Sequence, residues 1–410
     1  MDVLPIIYLI YMFISLYMLN FFLIIYFKNR KNFFDSPETT KKYSISFVVP
    51  AYNEGKTIED TIKHIFDIDY AHIKQVIVVN DCSTDNTKQV LQKLKKKYKK
   101  LIIINNKINL GNAARSQNVG LKYVKGDLIA IVDGDSFPAR DSLKKMVGFF
   151  DDPKVGAVTV PVLARNREKF IEKLQALEYI AISFGRKLLE YVDAIYVTPG
   201  PLALYRKEAL LGIGGFDEDN LTQDIEATWD ITSRGWDRKM ALSTSVTSQV
   251  PDKWGVWWKQ RRRWNIGGLQ CIWKYRNSLG RHGMLGAFII PFFVLSLFLG
   301  LIGLGIFFYL LITNIISKFL YTRYSIIAGT PIVSLNDFYL TPSFLNYLGI
   351  IMFLLGFAYL ILILYALKEK IFVKENILNI PFYLIVYLMI YPFVLVDSIY
   401  HWWFGSKKWR

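Results

Sequence analysis

The sequence predicts an α/β domain set between helices apolar enough to cross a membrane, and three observations carry that expectation. Residues 3–27 form an uncharged apolar run long enough to cross ~30 Å of hydrocarbon as a helix. From Ser44 onward, short β-rich runs alternate with polar helical stretches, the pattern of βαβ units and a parallel sheet covered by helices. Beyond residue 250, a stretch rich in Trp, Arg and Lys leads into three further apolar segments.

Taken in order, residues 1–27 are read as an N-terminal transmembrane helix rather than a cleaved signal. No basic region precedes the apolar run and no small-residue cleavage site follows it. Lys28, Arg30 and Lys31 come directly after it, which places the N-terminus outside and the chain from residue 28 in the cytoplasm. A linker spans 28–43, and the α/β domain spans 44–250. Its strands are expected at ISFVVP, QVIVVN, LIIIN and LIAIVD, with helices at 56–68, 84–98, 110–123 and 140–151. Ligands of such sheets bind beyond the carboxyl ends of the strands. The segments Pro50–Glu54, Asn80–Asp85, Asn105–Gly111 and Asp133–Asp135 should therefore gather at one edge.

Residues 251–282 read as an interfacial amphipathic segment and 283–410 as a membrane region with spans near 284–316, 345–367 and 377–398. The first is over-long, with Pro291 a place to kink. Lys318 and Arg323 are assigned to an external loop, and Lys368, Lys370 and Lys374 to an internal link. Three spans would leave Lys407, Lys408 and Arg410 outside, against the charge rule. Either the last segment does not cross fully or the long one is a hairpin.

Composition narrows the function classes. The chain has 410 residues, of which 52% are hydrophobic, and a formal net charge of +16. In a protein with membrane spans such a basic surface faces anionic lipid rather than nucleic acid. Cys82 and Cys271 are too few and too distant for a disulfide scaffold or a cysteine zinc site, which suits a reducing compartment. His64, His72, His282 and His401 show no ligand spacing.

The chemistry-bearing motifs stand at strand ends. Asp133-Gly134-Asp135 closes the strand LIAIV with two carboxylates one residue apart, in an apolar context where unpaired carboxylates are costly without a counter-ion. Mg²⁺ typically joins one or two carboxylates to substrate phosphates. The similar pairs Asp67–Asp69 and Asp217–Asp219 read as solvated turns. Asn80–Asp85 follows QVIVV in the same way, although Ser83 or Thr84 could equally cap a helix beginning at 85, with Asp81 near its positive end. Ala51-Tyr52-Asn53-Glu54 offers an aromatic face beside polar groups, as a nucleobase pocket needs, or is simply a turn.

The ordered segments VVPAYNE, VVNDCSTD, NLGNAARSQNVGL and IVDGDSFP resemble glycosyltransferase family 2, whose domain has the Rossmann-like GT-A fold. Thr222-Gln223-Asp224 resembles the family's Thr-Glu-Asp base motif, and Gln260-Arg261-Arg262-Arg263-Trp264 resembles the Gln-x-x-Arg-Trp signature of its processive members. The resemblance covers roughly 44–270 and extends to the flanking membrane arrangement of poly-N-acetylglucosamine, hyaluronan, chitin and cellulose synthases. It implies that Ala51, Tyr52 and Glu54 line the nucleoside site, that Asp81 holds the base, and that Arg115 and Asn118 lie near the diphosphate. It further implies that Asp133 contacts the nucleotide sugar, Asp135 binds Mg²⁺ or Mn²⁺, and Asp224 is the catalytic base. Gln260 and Arg263 would hold the diphosphate, with Trp264, Gln223 and Gly200 on the acceptor side. The turns Thr198–Pro201 and Gly214–Phe216 would frame the acceptor channel.

The residue types suit that chemistry on their own terms. Displacement at an anomeric carbon needs a carboxylate as general base, and the departing diphosphate needs cationic stabilisation. A flat indole suits the C–H face of a sugar. Trp254, Trp257, Trp273, Lys274 and Arg276 are instead read as interfacial side chains at the headgroup level. Three departures from the family pattern stand out: Asn112 for the common Lys, Gln223 for Glu, and Asn80 for the first of two aspartates.

The expected function is an inverting, metal-dependent membrane glycosyltransferase that polymerises sugar from a UDP-sugar, with N-acetylglucosamine first and glucose next. Its partners would be the donor, a growing polysaccharide or lipid-linked acceptor, and the bilayer. The alternatives are a transferase adding one sugar to a polyprenyl phosphate, and a polytopic transporter or receptor that only binds nucleotide.

Overall fold

The computed structural model describes residues 3–330, 344–367 and 374–405. Helix α1 (Val3–Asn29) opens the chain. The domain then runs β1 (Ile45–Ala51), α2 (Ile58–Phe66), β2 (Ile73–Asn80), α3 (Thr87–Lys97), β3 (Leu101–Asn105), α4 (Ala113–Leu121), β4 (Leu128–Ile131), β5 (Ser136–Pro138) and α5 (Ser142–Val147). It continues through β6 (Val155–Thr159), β7 (Val162–Ala164), α6 (Phe170–Glu190), β8 (Ala203–Arg206), α7 (Lys207–Gly212), α8 (Gln223–Ser233), β9 (Asp237–Met240) and β10 (Val246–Ser248). Helices α9 (Trp254–Tyr275), α10 (Ile290–Ala328), α11 (Phe344–Ala366), α12 (Lys374–Phe382) and α13 (Leu388–Phe404) follow.

The main sheet has the order β3-β2-β1-β4-β8-β6-β9. Strands β1 to β4 are parallel, as the βαβ pattern predicts. The sheet is nevertheless mixed, because β8 lies antiparallel to both β4 and β6. The reason is α6, which packs against α1, α11 and α12 instead of returning the chain across the sheet. The chain re-enters beside the end of β4, with Ala203 opposite Ile131, and must run the other way.

Both sheet faces are covered, so β1, β2 and β4 are apolar nearly throughout. Phe47, Val49, Ile58, Ile62, Leu91 and Leu143 form the core on one face. Val48, Val79, Ala114, Tyr205 and Ile231 form it on the other. A third cluster joins α6 to the apolar helices through Ile25, Phe33, Phe184, Trp257, Leu364 and Tyr387.

Among the described residues four helices are long and apolar enough to cross a membrane: Leu4–Asn32, Leu285–Ala328, Tyr347–Ala366 and Leu378–Phe404. The second is one unbroken helix after a π-helical turn at Leu285–Ile289, and Pro291 sits harmlessly in its first turn. This corrects two expectations. The long segment is not a hairpin, and Lys318 and Arg323 lie in helix rather than in a loop: the helix absorbs Gly300, Gly303 and Gly305 and ends only at Gly329, which takes a left-handed conformation (φ 64°). The last helix binds the first helix after the domain: Trp258 Nε1 donates to Asp397 at 2.7 Å, and Arg262 reaches Asp397 and His401. Lys368, Lys370, Lys407, Lys408 and Arg410, with the side chain of Lys374, lie outside the described residues.

Candidate active site

The strand ends meet as a set of mutually locked turns. After β1, Asn53 takes a left-handed conformation (φ 57°), which Asn tolerates better than most residues. Its Oδ1 accepts from the Thr84 amide at 2.8 Å, while its own amide donates to Ser83 Oγ at 3.0 Å. Ser83 and Thr84 thus tie two turns together and do not cap a helix. Helix α3 starts at Thr87, whose amide donates to Asp85 Oδ1 at 2.9 Å. Asn80 donates to Asn105 Oδ1 at 2.8 Å and accepts from the Ser83 amide. An aspartate could not do both, which accounts for that departure. Asp81 is buried, and its carboxylate accepts from Asn106 Nδ2 and from the Leu110 amide, bracing the loop before α4.

At that loop Asn112 is the N-cap of α4, its Oδ1 accepting from the Arg115 amide at 2.9 Å while Nδ2 donates to the Glu218 carbonyl. A Lys here could not accept that bond. Arg115 pairs with Glu218 at 3.4 Å. Asn118 uses both ends of its amide on the Phe216 backbone, at 2.8 and 2.9 Å.

These turns form one wall of a cavity of 1190 Å³; α6, α8 and α9 form the other. Ala51, Tyr52, Glu54, Asp81, Arg115, Asp133, Asp135, Gly200, Gln223, Asp224, Gln260, Arg263 and Trp264 all line it. Asn118 does not: it braces the 214–218 loop from behind. Of the other acidic pairs, Asp69 bonds Lys144 at the surface and Asp217 bonds Lys274, while Asp219 is 96% exposed.

Two glycines allow close approaches here. A Cβ on Gly200 would stand 2.7 Å from Asp133 Oδ2, and one on Gly267 would stand 2.0 Å from Thr222 Oγ1. The second approach lets α9 press against the start of α8, where Arg263 Nη1 donates to the Leu221 carbonyl at 2.9 Å.

Asp133 is pushed up to about 8 by burial and then by the charges of Asp135 and Asp224, with Arg263 opposing. Burial also raises Asp135, countered by the hydroxyls of Ser136 and Ser248. Burial raises Asp224 too, against Arg263, the amide of Ile225 at the positive end of α8, and Arg186. A cation placed among these carboxylates would relieve both desolvation and mutual repulsion. Among the described residues no three His, Cys, Asp or Glu side chains converge as a complete metal site. The carboxylate oxygens of Asp133 and Asp135 are donors of the kind a hard divalent cation takes, commonly one or two of them alongside phosphate oxygens.

The helical wall is held by a buried network. Arg261 is 1% exposed; Nε donates to Tyr391 Oη at 2.9 Å, Nη1 to Gln260 Oε1 at 2.6 Å, and Nη2 pairs with Glu178. Its guanidinium also lies 4.0 Å from the centre of the Trp264 ring. Tyr387 and Tyr391 both donate to Glu178, and Trp257 Nε1 donates to Tyr387 Oη at 2.6 Å. Trp257 is therefore core rather than interfacial, because the last helix covers it. Lys274 is likewise structural, bridging α9 to Asp217 and Glu226. Sequence reasoning missed Glu178, Arg261, Tyr387 and Tyr391, and it also missed the cavity face of α6. Glu178, a lone charge within the stretch Leu174–Phe184 of α6, was the one local signal.

Residues 46–214 match the model of Glycosyl transferase family 2. The chain is 32% identical over 230 residues to a poly-beta-1,6-N-acetyl-D-glucosamine synthase of Staphylococcus aureus, covering 56% of this chain and 55% of that one. It is 30% identical over 230 residues to its counterpart in Staphylococcus epidermidis. The chain thus spans about half the length of the curated relatives it matches. A solved mannosyltransferase from Pyrobaculum calidifontis, in complex with GDP-Man and Mn²⁺, shares the fold: TM-score 0.55 and 18% identity, over 97% of this chain and 99% of that one. The sheet and its strand-end turns thus fall largely within residues 46–214, the part of the chain that matches the Glycosyl transferase family 2 model, and helices apolar enough to span a membrane lie on both sides of it.

Proposed function

We propose that this chain is an inverting, metal-dependent glycosyltransferase that lengthens a polysaccharide from a UDP-sugar, with N-acetylglucosamine as the first candidate sugar. The observation that carries the reading is a buried carboxylate, Asp224, at the start of α8, sharing one cavity with Asp133 and Asp135 on one side and Gln260, Arg263 and Trp264 on the other. The relation to poly-beta-1,6-N-acetyl-D-glucosamine synthases supports the choice of sugar and of polymer.

In this reading the donor's nucleoside lies against Ala51, Tyr52 and Asp81, and its sugar against Asp133. Asp224 takes the proton of the acceptor hydroxyl as the oxygen attacks the anomeric carbon; the bond to the diphosphate breaks on the opposite side and the configuration inverts. Arg263, with a planar fork suited to phosphate oxygens, meets the negative charge gathering on the leaving group. Asp135 would hold Mg²⁺ or Mn²⁺ against the diphosphate, and the metal would supply further neutralisation of that charge. Trp264, backed by Arg261, gives the acceptor sugar a platform.

The domain is proposed to face the cytoplasm, since Lys28, Arg30 and Lys31 follow the first apolar helix. The contacts of Asp397 and His401 with α9 support a last segment that does not cross fully. The test is to incubate membranes containing the chain with a panel of nucleotide sugars plus Mg²⁺ or Mn²⁺ and to size the product. A ladder of long chains made from UDP-N-acetylglucosamine is expected. A single lipid-linked sugar would replace polymerisation by one transfer to a polyprenyl phosphate.

A further inference from the structure

One face of α6 closes the cavity on the side away from the strand ends. Tyr179, Ile182, Ser183 and Arg186 recur at the spacing of a single helix face, and all four line the cavity. Arg186 is the member that packing does not explain. It is 6% exposed, and its Nε and Nη1 have no hydrogen-bond partner among the described residues. A guanidinium cannot shed its charge, so donors buried without acceptors cost stability. Arg261, on the facing helix, places all three of its nitrogens on partners. One is an arginine bonded at every nitrogen by the fold; the other is kept short of acceptors beside a cavity.

The charges around the two cavity arginines sort donor side from acceptor side. Arg263 interacts with both Asp224 and Asp133. Around Arg186 the opposing influences are the Tyr196 hydroxyl and Asp224. Arg186 thus stands near the candidate base, on the helical wall of the cavity opposite the strand-end turns. An anionic ligand there would add to a cavity already holding Glu54, Asp133, Asp135, Asp224 and the donor diphosphate. A neutral oxygen would not.

We propose that Arg186, with Tyr179 and Ser183 on the same helix face, forms an acceptor-reading subsite that takes a neutral oxygen of the acceptor's terminal sugar and so turns the neighbouring hydroxyl toward Asp224. The inference rests on the transferase reading above and deepens it. It makes Arg186 a specificity-determining residue, because a site built to hydrogen-bond a sugar oxygen discriminates strongly against an acceptor that lacks it.

The test uses the full chain in detergent or native membranes, with UDP-N-acetylglucosamine as donor and either N-acetylglucosamine oligomers or water as acceptor. For Arg186→Met, the ratio of transfer to oligomer over transfer to water should fall at least about tenfold, mainly through a higher KM for the oligomer. UDP should bind as to the wild type, and the melting temperature should hold or rise, because unpaired buried donors have been removed. Arg186→Lys should recover part of the ratio, a point charge being a poorer fit than a planar fork. An unchanged ratio in Arg186→Met would overturn the proposal. So would a Met variant that melts earlier or fails to accumulate, which would make Arg186 structural. Equal losses with oligomer and water would place it on the donor side instead. A wild-type chain that turns over no nucleotide sugar would bring down the transferase reading itself, a result visible before any variant is made.

Discussion

The two walls of the cavity are built by different physics. The strand-end wall stands on backbone: four parallel strands fix the turns, and short polar side chains such as Asn53, Asn80 and Asp81 lock one turn to the next. The helical wall stands on side chains distant in sequence. Glu178 of α6 and Arg261 of α9 form a buried pair closed by Tyr387 and Tyr391, which belong to the last apolar segment. The strand-end wall is therefore self-contained in the sheet, whereas the helical wall depends on the apolar helices being in place. The proposed acceptor platform and the apolar helices share one set of contacts.

The sharpest way to break this contrast is at the network. Glu178→Gln leaves Arg261 buried without its counter-charge, at a cost of about 3–5 kcal/mol. Thermal unfolding of the full chain should register it, with the Trp264 side of the cavity loosening and UDP affinity suffering least. A variant that melts like the wild type and transfers normally would show the helical wall to be as independent as the sheet. On the other wall, Asp135→Asn should lower transfer by about 10²-fold, the scale of losing one charge-stabilising group, and should weaken activation by Mn²⁺ in a titration. A Mn²⁺ dependence identical to the wild type would remove Asp135 from the metal site.

Smaller changes sharpen the same comparison. Gly267→Ala pushes a methyl group into Thr222 Oγ1 and should cost about 1–3 kcal/mol of stability while displacing Arg263 from Leu221. Its signature is a lower kcat with donor binding largely retained. Asn112→Ala removes the N-cap of α4, about 1 kcal/mol, and should be read in melting temperature with little change in transfer. If Asn112→Ala instead matched the loss from Gly267→Ala, the strand-end wall would be the more fragile one.

This difference in construction is also why one wall was legible in the sequence and the other only partly so. Tyr52, Asp81, Asp133 and Asp135 each sit just beyond a strand recognisable from its own residues, so their convergence follows from the parallel sheet. Asp224 and the Gln260–Trp264 run were readable through motif resemblance. Arg261 stood inside that run as an unassigned position, since nothing local says that it pairs with Glu178, 83 residues away. Tyr179, Ser183 and Arg186 read as an ordinary helix face until the cavity beside them is known. The mixed sheet was missed for a similar reason, since only the outward excursion of α6 to the apolar helices makes β8 return antiparallel. Asn80 and Asn112, which read as departures from a pattern, prove to have structural duties that an acid or a lysine could not perform.

The central claim is that Asp224 removes a proton from a sugar hydroxyl while a nucleotide sugar occupies the strand-end wall. It is tested most directly by comparing wild type and Asp224→Asn, in the full-length chain, for UDP release and product formation from UDP-N-acetylglucosamine alongside UDP binding. The account predicts wild-type UDP affinity in the variant with transfer reduced by about 10²- to 10⁴-fold, the range for loss of a general base. Transfer at the wild-type rate by Asp224→Asn would contradict it.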